Sequence, residues 1–364
     1  MKTKLLATIT LLIAAQAALA CTGITLKSGD GTTVLARTIE WGGSDLNSRY
    51  AVVPRGFTQQ SYIPGGVKGG MTFTAKYGYV GLSVEQDEFV AEGLNEEGLS
   101  AGLFYFPRYG LYENYNEAVK AQSIADLQLV AWILGSFKTV DEALAGLKDV
   151  HVIAIDPRAS TAHWRIADPS GRQVVIEIVD RKVNVYENTL GVLTNSPGFD
   201  WQMTNLNNYI NLYPGTAKQK QLGATQLTSF GAGSGFLGIP GDVTPPSRFV
   251  RAAWYQATAP VLGTADSTVR QCFQILNNFD IPIGIETAEG ETAVNIPSAT
   301  QWTSATDMAG RKIYYRTMYN SAIRMIDLGR INFAKVKYKV VPLDDVKNNL
   351  SIPLIRINGI EIKN

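Results

Sequence analysis

The chain has 364 residues, of which 45% are hydrophobic and 18% charged, and its formal net charge is +1. This is the composition of an ordinary globular protein and excludes a largely disordered chain, and the charge offers no electrostatic basis for binding nucleic acid or an anionic membrane. The length suits one large domain or two smaller ones, with surface enough to bury a core.

Residues 1–20 read as an export signal. Lys2 and Lys4 form a positive head, residues 5–15 are apolar, and Ala18-Leu19-Ala20 is a small-x-small cleavage site. The apolar stretch is too short to span a membrane, and nothing later resembles a span. Cleavage after Ala20 would leave a single exported domain, residues 21–364, periplasmic or secreted, whose first residue is Cys21. The only other cysteine is Cys272. Two cysteines in an exported chain allow a disulfide. A cysteine at a cleavage point also allows acylation, which would make the chain a lipid-anchored surface binding protein. Against acylation, Ala18 and Leu19 hold the usual aliphatic and small places in reverse.

Strands open the mature chain. "CTGITL" (21–26) and "TTVLARTIEW" (32–41) flank "KSGDG", whose Asp30-Gly31 pair signals a hairpin turn. "MTFTAKYGYVGLSV" (71–84) continues with aromatic and β-branched residues, and residues 92–106 offer two short strands around Asn95-Glu96-Glu97-Gly98. Residues 124–137 carry apolar positions at helical spacing, and Thr139 with Glu142 is a capping box that opens another helix. Strands return at 151–156, 162–168, 172–179, 182–188 and 191–195, separated by turn residues. Residues 197–241 are polar and glycine-rich, an irregular stretch of the kind that carries function. Helices resume at 247–258 and 266–279, with Cys272 on the apolar side of the second, where a buried inert thiol is expected. Residues 300–328 are again strand-like. The alternation suggests antiparallel sheets with helices packed outside.

Two histidines, His151 and His163, leave little room for a Cys-His or Ser-His-Asp centre, and His163 lies in a strand pattern as a structural residue. No HExxH, CxxC or ligand-spaced cluster points to a metal, and "GAGSGFLG" lacks the ending and setting of a phosphate loop. An N-terminal cysteine needs no histidine, because its own α-amine can take the thiol proton and later return it to a leaving amine. Signal cleavage would thus create nucleophile and base together. The residues point to an N-terminal-nucleophile amidase, with a plain exported binding protein as the alternative.

Four segments in order, "CTGITL…LARTIEW", "EGLNEEGLSAGLFYFP", "GVLTNSPGFDW" and "GDVTPPSRFVRAAW", resemble the choloylglycine hydrolase family of bile salt hydrolases and penicillin V acylases. "QLTSFGAGSGFLGIPGD" is similar to the bile salt branch in particular. The resemblance implies an α+β fold, an αββα four-layer sandwich of two antiparallel sheets without metal or organic cofactor, and a homotetramer that splits the amide of glycine- or taurine-conjugated bile salts. A penicillin V acylase or another N-acyl amidase is the alternative. It implies Cys21 as nucleophile, Arg37 against its sulfur, Asn195 in the oxyanion hole and Arg248 as a second active-site arginine. An Arg inside an apolar strand, as Arg37 is, needs a partner on physical grounds alone. Where the family places an aspartate against the nucleophile's amine, this chain has Glu40. Where bile salt hydrolases commonly place an asparagine, it has Tyr105, as penicillin V acylases often do. Ile39, Phe104, Phe106 and the "GFLGIPG" loop are the expected apolar wall for the substrate.

Overall fold

The computed structural model describes residues 20–156, 161–292 and 298–347, together with the backbone at 356–357 and 360–361. The export-signal expectation for residues 1–19 lies outside the described residues. Strands β1 (Ala20–Lys27) and β2 (Thr33–Trp41) form the hairpin expected from Asp30-Gly31. Gly31 has φ +87°, and the Asp30 carboxylate accepts the Thr32 N–H at 3.1 Å, so the turn is held by the residue types that favour it. Every residue of β1 except Lys27 is buried, as in a strand covered on both faces.

Strands β3 (Arg49–Val53), β4 (Thr58–Ile63), β5 (Val67–Thr74) and β6 (Tyr79–Ser83) follow. Next come β7 (Val90–Asn95) and β8 (Ser100–Tyr105), turning at Asn95 to Gly98. After β9 (Ser123–Ala125), α1 (Leu129–Ser136) leads to α2 (Val140–Leu147), whose cap Thr139 accepts the Glu142 N–H. Then come β10 (His151–Ile153), β11 (Ala162–Ala167), β12 (Gln173–Val179) and β13 (Lys182–Glu187). A short helix α3 (Phe199–Asn205) and a small hairpin, β14 (Lys220–Leu222) and β15 (Thr225–Leu227), occupy the stretch read as irregular. Helices α4 (Pro245–Ala257) and α5 (Ala265–Leu276) precede β16 (Ala299–Asp307), β17 (Lys312–Thr317), β18 (Asn320–Asp327) and β19 (Lys339–Pro342).

Two antiparallel sheets dominate. One runs β1-β2-β16-β17-β18, the other β13-β12-β11-β8-β7-β6-β3-β19. They face each other, with β1 against β8 and β17 against β7; α4 and α5 pack on the first sheet and α1 on the second. The result is the expected αββα sandwich. One core, including Ile24, Phe104, Phe249, Cys272 and Trp302, lies against both faces of the first sheet. Another, including Leu134, Val140, Trp164 and Ile176, lies between the second sheet and α1 and α2.

Two expected elements differ. The helix read over 124–137 begins only at Leu129, because residues 123–125 pair in parallel with 151–153. Residues 191–195 are not a strand: they touch the free edge of β1 through one bridge, Gly23 to Leu193, and then turn inward. That single contact brings Asn195 beside Cys21.

Candidate active site

The β1–β2 register sets the centre of the site. Cys21 lies opposite Ile39 and Gly23 opposite Arg37, so Arg37 is the diagonal neighbour of Cys21 on the face toward the second sheet. Gly23 is required there: a Cβ would stand 2.9 Å from Arg165 Nη1 and 3.0 Å from the Phe104 ring. Arg37 donates from Nη2 to Cys21 Sγ at 2.9 Å. Its other hydrogens go to the carbonyls of Thr38, Ala91 and Leu103. Its guanidinium carbon lies 4.0 Å from the centroid of Phe104.

Behind Arg37 stands a buried carboxylate, Glu92 on β7, 3.5 Å from Arg37 Nη1 and 3.6 Å from Arg165 Nη2 on β11. Gly102, opposite Glu92 in the sheet, makes room for it, since a Cβ would stand 2.1 Å from Glu92 Oε2. Two cations share one anion across these three side chains. A buried charge excess of that kind favours a further anion nearby, and the Cys21 sulfur is the group in place to become one.

The other side of Cys21 faces α4. Thr244 caps this helix and Pro245 with Pro246 open it, which places Arg248 in the first turns with its side chain fully buried. Arg248 donates through Nη1 to the Cys21 carbonyl and to Thr22 Oγ1, and through Nη2 to Asn195 Oδ1 at 2.8 Å. The same Asn195 oxygen accepts the Cys21 N–H at 2.8 Å, and Asn195 Nδ2 donates to the Tyr105 carbonyl at 2.7 Å. Here Cys21 is still joined to Ala20, so its nitrogen is a peptide N–H.

Glu40 pairs with Ala20 across the hairpin. Its Oε1 accepts from Thr300 at 3.2 Å, while its buried Oε2 has no hydrogen-bond partner. Burial pushes the Glu40 carboxyl up to about 7, against the pull of Arg248, Thr38, Arg37 and Thr300. Burial also raises the Cys21 thiol and Glu40 adds to the rise, while Arg37, the Tyr105 N–H and Arg248 pull it down. The resting sulfur is therefore a thiol within reach of the groups that would stabilise its thiolate.

Of the residues expected from the sequence, Cys21, Arg37, Glu40, Tyr105, Asn195 and Arg248 are brought together. Tyr105 approaches the sulfur through its main-chain N–H. Ile39 lines a cleft that opens on Cys21, with Leu46, Val84, Phe89, Leu103 and Ile155. Phe104 and Phe106 do not line it. Alternation along β8 turns Leu103 and Tyr105 toward the cleft, leaving Phe104 packed on Arg37 and Phe106 stacked on His163. The "GFLGIPG" loop is also absent from the cleft, with Leu237 exposed.

Sequence reasoning missed Glu92 and Arg165. The signal was present: each is a charge in an apolar strand, the argument already applied to Arg37. Among the described residues no group of three or more His, Cys, Asp or Glu side chains could hold a metal ion, and no helix is long and apolar enough to cross a membrane. Both cysteines are free and buried.

Residues 21–348 match the linear amide C-N hydrolases of the choloylglycine hydrolase family. A bile salt hydrolase/transferase of Clostridium perfringens is 32% identical over 86% of this chain and 93% of its own length. The crystal structure of a mutant conjugated bile acid hydrolase from the same organism superposes with a TM-score of 0.77 at 30% identity, over 89% of this chain and 97% of that one. A penicillin V acylase of Pectobacterium atrosepticum is 25% identical over 88% of this chain and 83% of its own. With the αββα sandwich and the buried Cys21–Arg37 contact, these matches settle the family: the chain belongs to the choloylglycine hydrolases and hydrolyses linear amide C–N bonds.

Proposed function

We propose that the mature chain, beginning at Cys21 and exported to the periplasm or the medium, hydrolyses glycine- or taurine-conjugated bile salts through a thioester on Cys21. The observation that carries this reading is the Cys21 sulfur, held by Arg37 Nη2 at 2.9 Å in the wall of an apolar cleft. Removal of residues 1–20 turns the Cys21 nitrogen into an amine that takes the thiol proton. The thiolate attacks the amide carbon. The carbonyl oxygen collects the negative charge and meets two donors, the Tyr105 N–H and the second hydrogen of Asn195 Nδ2. The Cys21 ammonium then protonates the departing nitrogen, glycine or taurine leaves, and the acyl group stays on sulfur. Water, deprotonated by the same amine, hydrolyses the thioester and restores the thiol. Asn195 Oδ1 and Arg248 hold the amine and the Cys21 backbone, and Glu40, with its unpartnered Oε2, orients the amine.

The substrate follows from the cleft. Its aliphatic wall suits a rigid apolar body, at about 25 cal/mol per Å² removed from water. Its polar groups include Glu85 and Asp126, acceptors that suit hydroxyl donors on a steroid. A phenoxyacetyl group, as in penicillin V, offers them no donor. The higher identity to the bile salt relative points the same way. Trp201, Ile210, Leu222, Phe230 and Leu237 expose apolar surface along residues 201–237, which supports assembly into a homo-oligomer, a tetramer in our reading.

The test is a competition assay that follows glycine or taurine release from conjugated cholate and phenoxyacetate release from penicillin V. We expect kcat/KM to favour a bile conjugate. A tenfold preference for penicillin V, about 1.4 kcal/mol in the transition state, would reverse the assignment.

A further inference from the structure

Behind Asn195 lies a second buried pair that the chemistry above does not use. His163, on β11, is fully buried. Its ring stacks on Phe106 at 4.5 Å between centroids and meets Phe104 edge-on at 6.2 Å. Nδ1 lies 2.9 Å from Glu177 Oε1 on β12, and Nε2 lies 3.0 Å from the main-chain oxygen of Thr194. A carbonyl oxygen only accepts, so Nε2 carries a hydrogen. Glu177 Oε1 also accepts the Phe199 N–H at 2.9 Å, so one oxygen faces two nitrogens, and an ionised Glu177 would accept from both, with Nδ1 carrying a hydrogen as well. Both ring nitrogens donate together only in the imidazolium.

We propose that His163 is held as an imidazolium paired with Glu177, and that it is a positioning residue for Asn195, because it fixes the carbonyl of the preceding residue. The Asn195 side chain meets three partners at once, Cys21 N and Arg248 Nη2 on its oxygen and the Tyr105 carbonyl on its nitrogen. A turn of the 194–195 peptide would break all three. The strut resists that turn: Glu177 anchors His163 at one end of the segment 194–199 and the Phe199 N–H at the other. Charge-assisted bonds in a dry site are roughly twice as strong as neutral ones. The positioning half rests on the role proposed above for Asn195; the protonation half does not.

The chain has only two histidines, so His151→Gln leaves one to observe. NMR of this variant, labelled with 15N-histidine and beginning at Cys21, should show two protonated ring nitrogens at neutral pH. A single protonated nitrogen overturns the ion pair. Glu177→Gln keeps an amide oxygen for the Phe199 N–H, where Oε1 now meets both nitrogens, and removes the negative charge that holds the imidazolium, which leaves a neutral ring on the Thr194 carbonyl. It should remove one of the two ring N–H signals and keep kcat on glycine-conjugated cholate within about threefold. Persistence of both signals in Glu177→Gln also overturns the pair. His163→Phe keeps the stacking and removes both donors. It should lower kcat by about thirtyfold or more with KM little changed, since the cleft is untouched while the group acting on the reacting amide is misplaced. An unchanged kcat overturns the positioning role. Should His163→Phe not fold, the NMR and the Glu177→Gln arms decide. A wild-type chain with a doubly protonated ring but no turnover of any bile conjugate would break the functional reading and leave the ion pair standing.

Discussion

The two thiols are both buried, Cys21 with 4% of its surface exposed and Cys272 with none, and burial raises both above the ordinary value for cysteine. Their surroundings differ in what opposes that rise. Cys272, on α5, is packed among apolar residues, and only the charge of Arg165 counters its burial. Cys21, at the end of β1, has Arg37 donating to its sulfur, the Tyr105 N–H beside it and Arg248 on its own carbonyl. The difference teaches that directed donors, not burial, set the two sulfurs apart, and the proposed mechanism rests on that difference. A buried thiol without such donors is a small apolar side chain.

The largest test of this contrast is Cys21→Ala, which should leave a folded protein with turnover reduced by about a thousandfold or more. Arg37→Leu comes next. It removes the sulfur's cation and leaves Glu92 with Arg165 alone, so kcat/KM should fall by about a hundredfold and the rate of thiol alkylation at Cys21 should fall with it. An unchanged alkylation rate would show that Arg37 does not stabilise the thiolate.

Glu40 tests the electrostatics through stability. Its folded value of about 7 lies above the ordinary 4.5, with burial as the main cause. Between these values the folded chain holds a proton that the unfolded chain has lost, so stability falls as pH rises through that window, by about 3 kcal/mol in total. Asp126, pushed up to about 7 chiefly by burial, contributes with the same sign. Melting temperatures at about pH 5 and about pH 8 should differ in the wild type, and Glu40→Gln should remove roughly half of that difference. A difference that Glu40→Gln leaves intact would mean that its carboxyl is ionised in the fold.

The two smallest effects complete the contrast. Tyr105→Phe keeps the main-chain N–H at the sulfur and should change kcat by no more than about threefold. Cys272→Ala should leave the rate unaltered and cost about 1 kcal/mol in denaturant unfolding, from the small cavity it opens.

How far the site was legible follows from the range of its contacts. The β1–β2 hairpin was readable because Asp30-Gly31 fixes a local turn, and the turn fixes the register that sets Arg37 diagonal to Cys21. The helix carrying Arg248 was read over 247–258 and runs over Pro245–Ala257, two residues earlier at its start. Glu92 and Arg165 each show in the sequence as a charge in an apolar strand, but they were not found, because their pairing crosses β8 within one sheet and only the stacking of the two sheets brings Arg37 of β2 against them. Phe104 and Phe106 were misplaced for a related reason. Strand alternation tells which residues share a face, but which face looks into the cleft depends on the packing of the sheets. Residues 191–195 looked like a strand by composition, yet the edge of β1 offers them one bridge only, and the turn that follows is what carries Asn195 inward.

The most direct measurement of the central claim is the mass of the acyl-enzyme. The chain beginning at Cys21 is mixed with glycine-conjugated cholate, quenched in acid during turnover and digested. The account expects the cholyl group on the peptide that starts at Cys21, lost on treatment with hydroxylamine as a thioester is, and absent when Ala20 remains attached. Turnover with no adduct on that peptide, or an adduct on the peptide containing Cys272, would contradict it.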